Sequence, residues 1–195
     1  MVIKRGVILD KTEKRELLDW IKSIAIAFVF VIAMRTFIFS PILVEGASMM
    51  PTYEDGDKVI VNKIGKQISS IERFDVIVFK APIGKNYIKR VIGLPGDHVA
   101  YENDTLYIND EAFEEPYLDL NKEQLLDNGT LTQDFTLQSL TGYSTIPEGY
   151  LFVLGDNRRK SSDSRDARVG LVPMEKVLGK TNLRFYPFDS FGIVK

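Results

Sequence analysis

Two patterns of hydrophobic positions divide the chain. From Trp20 to Phe39 the sequence reads WIKSIAIAFVFVIAMRTFIF, and Ile24–Met34 is eleven residues without a charge. Twenty residues at the helical rise span ~30 Å, the hydrocarbon thickness of a bilayer. Lys22 and Arg35 stand near the two ends, where long cationic side chains reach the headgroup layer. Asp10 and Glu13 have the spacing of a capping box, so a helix is expected to start near Lys11, and Pro41 is expected to stop it. A buried soluble helix would also be apolar, and a cleaved secretory signal would find small residues at Val44 and Gly46. The long charged start and the apolar continuation past Arg35 favour a permanent anchor over residues 20–40.

Beyond Pro41 the period changes to short β-branched runs: 58–62, 75–79, 87–92, 98–101, 106–109, 150–154 and 180–186. Turn signals separate them, and Asn103-Asp104 predicts a hairpin between the fourth and fifth. The expected fold is therefore mainly β. Residues 103–147 carry weaker strand signal and read either as an inserted acidic cap or as a solvated excursion.

Charge sharpens this division. Residues 1–22 hold six Lys/Arg, whereas none occurs between Thr36 and Asp57. By the positive-inside rule, residues 1–19 form a cytoplasmic tail and residues 41–195 lie outside the cytoplasm. Residues 101–134 hold ten Asp/Glu against one Lys. A net charge of −2 argues against a general nucleic-acid binder. The chain has no cysteine and one histidine, His98. Thiol nucleophiles, Cys-zinc sites and multi-His metal sites are thereby excluded, and any serine nucleophile distant from His98 needs another base.

Three segments carry candidate chemistry. Gly46-Ala47-Ser48-Met49-Met50-Pro51-Thr52 places a serine in a turn soon after the apolar segment. In the strand Tyr87–Ile92, Lys89 and Arg90 point to opposite faces. One cation then faces apolar neighbours, unless both lie on a solvated edge; a desolvated lysine has a lowered pKa and can act as a base near neutrality. Gly155–Arg165 is a dense polar loop in which Asp163 and Arg165 suggest a fixed ion pair. A serine activated by a neutral lysine is a known variant of the catalytic triad.

Taken together these boxes resemble the bacterial type I signal peptidases, in the short Gram-positive form. The resemblance rests on Ser48-Met49-Met50-Pro51-Thr52, Arg73–Phe79, Lys89–Asp97, and Gly155-Asp156-Asn157-Arg158 with Ser161, Asp163, Ser164 and Arg165. It implies a signal-peptidase-type β catalytic domain with a small inserted β-rich subdomain, on one N-terminal transmembrane helix. It implies a membrane-bound serine endopeptidase, without cofactor or metal, that removes signal peptides after Ala-x-Ala-like motifs. Ser48 would be the nucleophile, with its own N–H in the oxyanion hole, and Lys89 the general base. Ser161 would orient the lysine amine by a hydrogen bond, and Asp163 and Arg165 would support the site. Val44, Met49, Tyr87 and Ile88 would line the pockets for small side chains. The implied partners are secretory preproteins and the lipid bilayer, with the export machinery as a further candidate. The sequence departs from the family pattern twice: Gly46 stands where some members place an oxyanion-hole serine, and Tyr53 stands where many have Leu, with a change expected in the apolar surface near the site.

Overall fold

The computed structural model describes residues 11–37, 39–63, 71–126 and 129–194. It divides into two units, 1–38 and 39–195. The first contains one helix, α1 (Lys11–Phe37); the capping expectation at Asp10 lies outside the described residues. Its apolar side chains are exposed, Trp20, Ile26, Phe28 and Val31 among them. Among the described residues, no helix is long and apolar enough to cross a membrane.

The second unit is mainly β, as its alternation requires. Its larger sheet is antiparallel, with strand order β1-β2-β11-β3-β4-β9-β10 and β12 paired to β11. These strands are β1 (Phe39–Leu43), β2 (Lys58–Asn62), β3 (Val76–Lys80), β4 (Asn86–Gly93), β9 (Tyr150–Leu154), β10 (Val172–Pro173), β11 (Val177–Tyr186) and β12 (Gly192–Ile193). β3 is apolar along its length because both faces of the sheet are covered. Val76 and Val78 pack with Met49, Tyr53 and Val59 on one side; Ile77 and Phe79 pack with Val91, Val153 and Val177 on the other.

Residues 39–40, assigned from sequence to the end of the anchor, belong to β1. Pro41 is tolerated there because β1 is an edge strand paired only to β2, so its missing N–H removes no bond on a second side. The smaller sheet, order β7-β6-β5-β8, comprises β5 (Val99–Glu102), β6 (Thr105–Ile108), β7 (Glu111–Phe113) and β8 (Phe135–Thr136), with short helices α2 (Asp119–Glu123) and α3 (Leu137–Thr141). The β5–β6 hairpin turns at Asn103 and Asp104, both at positive φ as a two-residue type I′ turn demands. This insert is no solvated excursion. Val99, Tyr101, Leu106, Ile108 and Leu137 bury themselves against Ile92, Phe152 and Leu154 of the larger sheet. Its sheet begins at Val99, earlier than the acidic stretch that marks it in sequence, because β5 and β6 are themselves well-patterned strands.

Candidate active site

β4 positions the lysine. It pairs with β3, Ile77 opposite Lys89, and with β9, Leu154 opposite Arg90. Neither cation is on a solvated edge: Lys89 and Arg90 are each 3% exposed, on opposite faces of the strand. Arg90 makes two bonds to Asp156, Nε to Oδ1 at 3.0 Å and Nη2 to Oδ2 at 2.7 Å, and its guanidinium stacks on Tyr117. Among the described residues, Lys89 has no carboxylate partner. Its Nζ donates to the Ile88 carbonyl at 2.9 Å and meets Ser48 Oγ at 2.8 Å. Burial therefore dominates its titration and pulls the pKa from 10.5 down to about 8, partly opposed by the negative charges of Asp163 and Asp156.

The Ser48 turn is held from several directions. Upstream, Val44 N–H donates to the Asp57 carbonyl at 2.7 Å and Gly46 N–H to Asp55 Oδ1 at 2.7 Å. Gly46 has φ +86°, a conformation that glycine adopts without strain. Downstream, Thr52 Oγ1 donates to Asp156 Oδ2 at 2.5 Å, so one carboxylate ties the serine segment to Arg90 of β4. The loop after β9 then closes on the turn. Asn157 donates through Nδ2 to the Ala47 carbonyl at 2.9 Å and through its backbone N–H to the Ser48 carbonyl at 3.1 Å. Gly155 allows this approach: a Cβ there would lie 2.4 Å from the Ser48 carbonyl oxygen and 2.2 Å from Ser161 Oγ.

Asp163 and Arg165 form the expected ion pair, Nε to Oδ1 and Nη2 to Oδ2 both at 2.8 Å, while Asp163 also accepts from Gly155 N–H at 3.0 Å. The Ser161 expectation is not met. Its Oγ is buried against the Gly155 backbone and has no hydrogen-bond partner, so the bond to the lysine amine is not formed. The amine is held instead by the carbonyl of Ile88. Tyr53 is also corrected. It is fully buried in the core with its hydroxyl near the Thr181 carbonyl, so it contributes no surface beside the site.

Ser48 and Lys89 lie on the wall of an open cleft of about 780 Å³. Val44, Met49, Tyr87 and Ile88 line the same cleft, as do Lys160 and Ser162. Of the two methionines, Met49 is buried in the core and Met50 is 36% exposed. His98 is far from this chemistry in its bonding: its Nδ1 meets the Ser144 carbonyl at 2.9 Å. Among the described residues, no cluster of His, Asp and Glu is arranged to hold a metal ion.

Sequence reading quoted Arg90, Asp156, Asn157 and Arg158 as part of the matched boxes without giving them work. It missed the insert's share altogether. Arg158 is buried with Glu115, Nη2 to Oε1 at 2.6 Å, and is also bonded to the Tyr101 hydroxyl. Asn121 of α2 donates to the Met50 and Asp156 carbonyls at 3.1 and 2.8 Å. These partners are separated by tens of residues, so no local spacing signals them.

A serine hydroxyl touches a buried amine in an open cleft, an arrangement suited to a hydrolase built on serine. The chain belongs to the signal peptidase family, peptidase S26, whose family model matches residues 17–186. It is 51% identical over 167 residues to the signal peptidase I of Bacillus caldolyticus, covering 86% of this chain and 90% of that one. It is 43% identical over 182 residues to the signal peptidase IB of Staphylococcus aureus strain Mu50, covering 91% and 94%. The crystal structure of a signal peptidase I from Enterococcus faecalis V583 superposes with a TM-score of 0.55 at 46% identity, covering 58% of this chain and 98% of that one. The chain is accordingly a serine endopeptidase of the signal-peptide-processing kind.

Proposed function

We propose that Ser48 and Lys89 are the catalytic dyad of a membrane-bound signal peptidase that cleaves secretory preproteins after small residues. The observation that carries this is the 2.8 Å contact between Ser48 Oγ and an amine that burial brings to about pH 8. A lysine so shifted is partly neutral at physiological pH and can accept a hydroxyl proton.

In acylation, Ser48 Oγ bonds to the scissile carbonyl carbon as its proton passes to Lys89 Nζ. The carbonyl π pair moves to oxygen, where the Ser48 N–H stabilises it. Collapse breaks the C–N bond, and the ammonium gives its proton to the leaving amine. In deacylation, water gives a proton to the neutral amine and attacks the ester carbon. Ser48 Oγ then leaves and recovers its proton from the ammonium.

Val44, Met49, Tyr87 and Ile88 supply apolar surface beside the serine, suited to small side chains of an extended peptide. Asp163 and Arg165 hold the Gly155 loop against the nucleophile turn. Residues 1–19 are the cytoplasmic tail, 20–40 the region of the anchor and 41–195 the extracytoplasmic peptidase. The apolar run 24–34 and the exposed apolar side chains of α1 support the anchor.

The test is cleavage of a detergent-solubilised preprotein by the full chain, beside Ser48→Ala and Lys89→Met, with the new N-terminus sequenced. Cleavage after a small residue, lost in both variants, is expected. Cleavage that survives Ser48→Ala refutes the nucleophile, and cleavage after large residues refutes the substrate class.

A further inference from the structure

In a serine peptidase the oxyanion donors must stand in place before the reaction starts, because reorienting them during bond formation forfeits their benefit. Here that demand falls on the backbone. Gly46 carries no side chain, so it supplies no hydroxyl to the oxyanion, and its N–H is already given to Asp55. The Ser48 N–H makes no hydrogen bond among the described residues.

A peptide unit is planar, so the Ser48 N–H and the Ala47 carbonyl are fixed relative to one another, pointing to opposite sides of the chain. Whatever grips the Ala47 oxygen aims the Ser48 N–H. That grip is Asn157. Its Nδ2 meets the Ala47 oxygen at 2.9 Å, and a carbonyl can only accept, so it is the amide's donor end that faces it. Its own backbone N–H takes the Ser48 oxygen at 3.1 Å, which fixes the following peptide plane as well. One residue thus holds the planes on both sides of the nucleophile. Asn121 acts one step further on, at the Met50 carbonyl and, through the Asp156 carbonyl, on the Asn157 N–H, and it leaves the Ala47–Ser48 plane alone.

We propose that Asn157 is a positioning residue for the oxyanion hole, acting through the Ala47 carbonyl to aim the Ser48 N–H at the developing negative charge. The inference rests on the proposal that Ser48 is the nucleophile. It assigns Asn157 no contact with substrate. It also separates the two parts of that residue: the side chain governs the Ser48 N–H, and the backbone governs the next plane.

The separation makes the test selective. Asn157→Leu keeps size and backbone but removes the donor without adding a charge, while the bond to the Ser48 oxygen survives. Steady-state cleavage of a preprotein by the full chain in detergent is measured across pH, with Asn121→Ala as the comparison that loosens the same pair of loops elsewhere. Loss of an oxyanion donor costs about 10²–10³ in kcat, so a misaimed one should lower kcat by about tenfold or more. KM should stay within about threefold, since the ground-state carbonyl gains little from this donor. The basic rise of the pH profile should keep its midpoint, because Lys89 is untouched. Asn121→Ala should lower kcat by no more than about threefold.

If Asn157→Leu does not fold, Asn157→Ser, which also removes Nδ2 and keeps the backbone bond, is read by the same criteria. A kcat within threefold of wild type overturns the proposal. So does a moved midpoint, which would place the effect on Lys89, and so does an equal loss in Asn121→Ala, which would make it general loosening. Inactive wild type, or active Ser48→Ala, would instead refute the dyad on which the inference stands.

Discussion

Replacing Lys89 by methionine should make the protein more stable while abolishing cleavage. In the unfolded chain the lysine titrates at 10.5, and in the fold burial pulls it to about 8. At pH 7 the amine is charged in both states, and the difference of about 2.5 pH units corresponds to a penalty of about 3 kcal/mol on folding. Methionine occupies similar space without a charge. It forfeits the bonds to the Ile88 carbonyl and Ser48 Oγ, worth about 1 kcal/mol each, so a net gain of about 1–2 kcal/mol is expected at pH 7. Because the folded pKa is depressed, the unfolded state binds more protons between about pH 8 and 10.5, and the wild type should gain stability as pH rises through that window. The methionine variant should lose that slope. Urea unfolding of both proteins in detergent at pH 7 and pH 9.5, followed by tryptophan fluorescence or circular dichroism, measures both effects. A variant less stable than wild type at pH 7, with parallel pH dependence, would show that the buried amine is not destabilised and that the depressed pKa is wrong.

Cleavage itself should rise with pH along one basic limb, because the neutral amine is the active form; with a midpoint of about 8, the rate should grow about tenfold from pH 7 to pH 9. A flat stopped-assay profile over that range would remove Lys89 as the base. Asp163→Asn deletes a negative charge that raises the Lys89 pKa, so among folded molecules the limb should move to lower pH; a move upward contradicts the assignment. Gly155→Ala should reduce cleavage at least a hundredfold, because its Cβ would press to 2.4 Å on the Ser48 carbonyl and must displace the turn; near-normal turnover by a folded variant would refute the fit. Arg158→Met leaves Glu115 buried without its partner and should lower stability by about 3–5 kcal/mol, read by denaturant midpoint, with Arg158→Met/Glu115→Leu recovering much of the loss.

Much of this fold was legible because its strands announce themselves one at a time. The runs 58–62 and 150–154 became β2 and β9 without adjustment, and the Asn103-Asp104 turn fell where two positive φ values are needed. β1 was not legible, since Phe39–Leu43 continues the apolar helix and contains a proline that usually argues against a strand. Only the pairing with β2 reveals that it lies at an edge. At the site, the juxtaposition of Ser48 and Lys89 followed from the boxes, and the Asp163–Arg165 pair from its spacing. The insert's role did not follow, because Glu115, Tyr117 and Asn121 act on residues far away in sequence, and an acidic composition looks the same whether its carboxylates are solvated or buried. Ser161 shows the opposite failure: the motif named the residue, but the side chain's direction depends on how closely Gly155 lets the backbones pack.

Lys89 and Arg90 show how the fold gives two neighbouring cations opposite surroundings. They are adjacent on β4, equally buried, and cationic in isolation. Period-two alternation sends them to opposite faces, and the faces differ in what they offer. Arg90 meets a full carboxylate, Asp156, with two bonds, and stacks on Tyr117 of the insert. It stays charged and ties the strand to both the Thr52 side of the nucleophile turn and the Gly155 loop. Lys89 meets only a carbonyl and a hydroxyl, so its charge lacks compensation at contact distance. Asp156 and Asp163 are near enough to moderate its pKa without pairing with it. Had either carboxylate reached the amine directly, the lysine pKa would stay nearer its ordinary value, and the neutral fraction able to accept the serine proton would be far smaller. The guanidinium of Arg90 occupies Asp156, and that of Arg165 occupies Asp163. The two arginines therefore do more than stabilise loops: by engaging the acidic groups around the cleft, they leave the lysine unpaired, and an unpaired buried lysine is what a Ser–Lys mechanism requires.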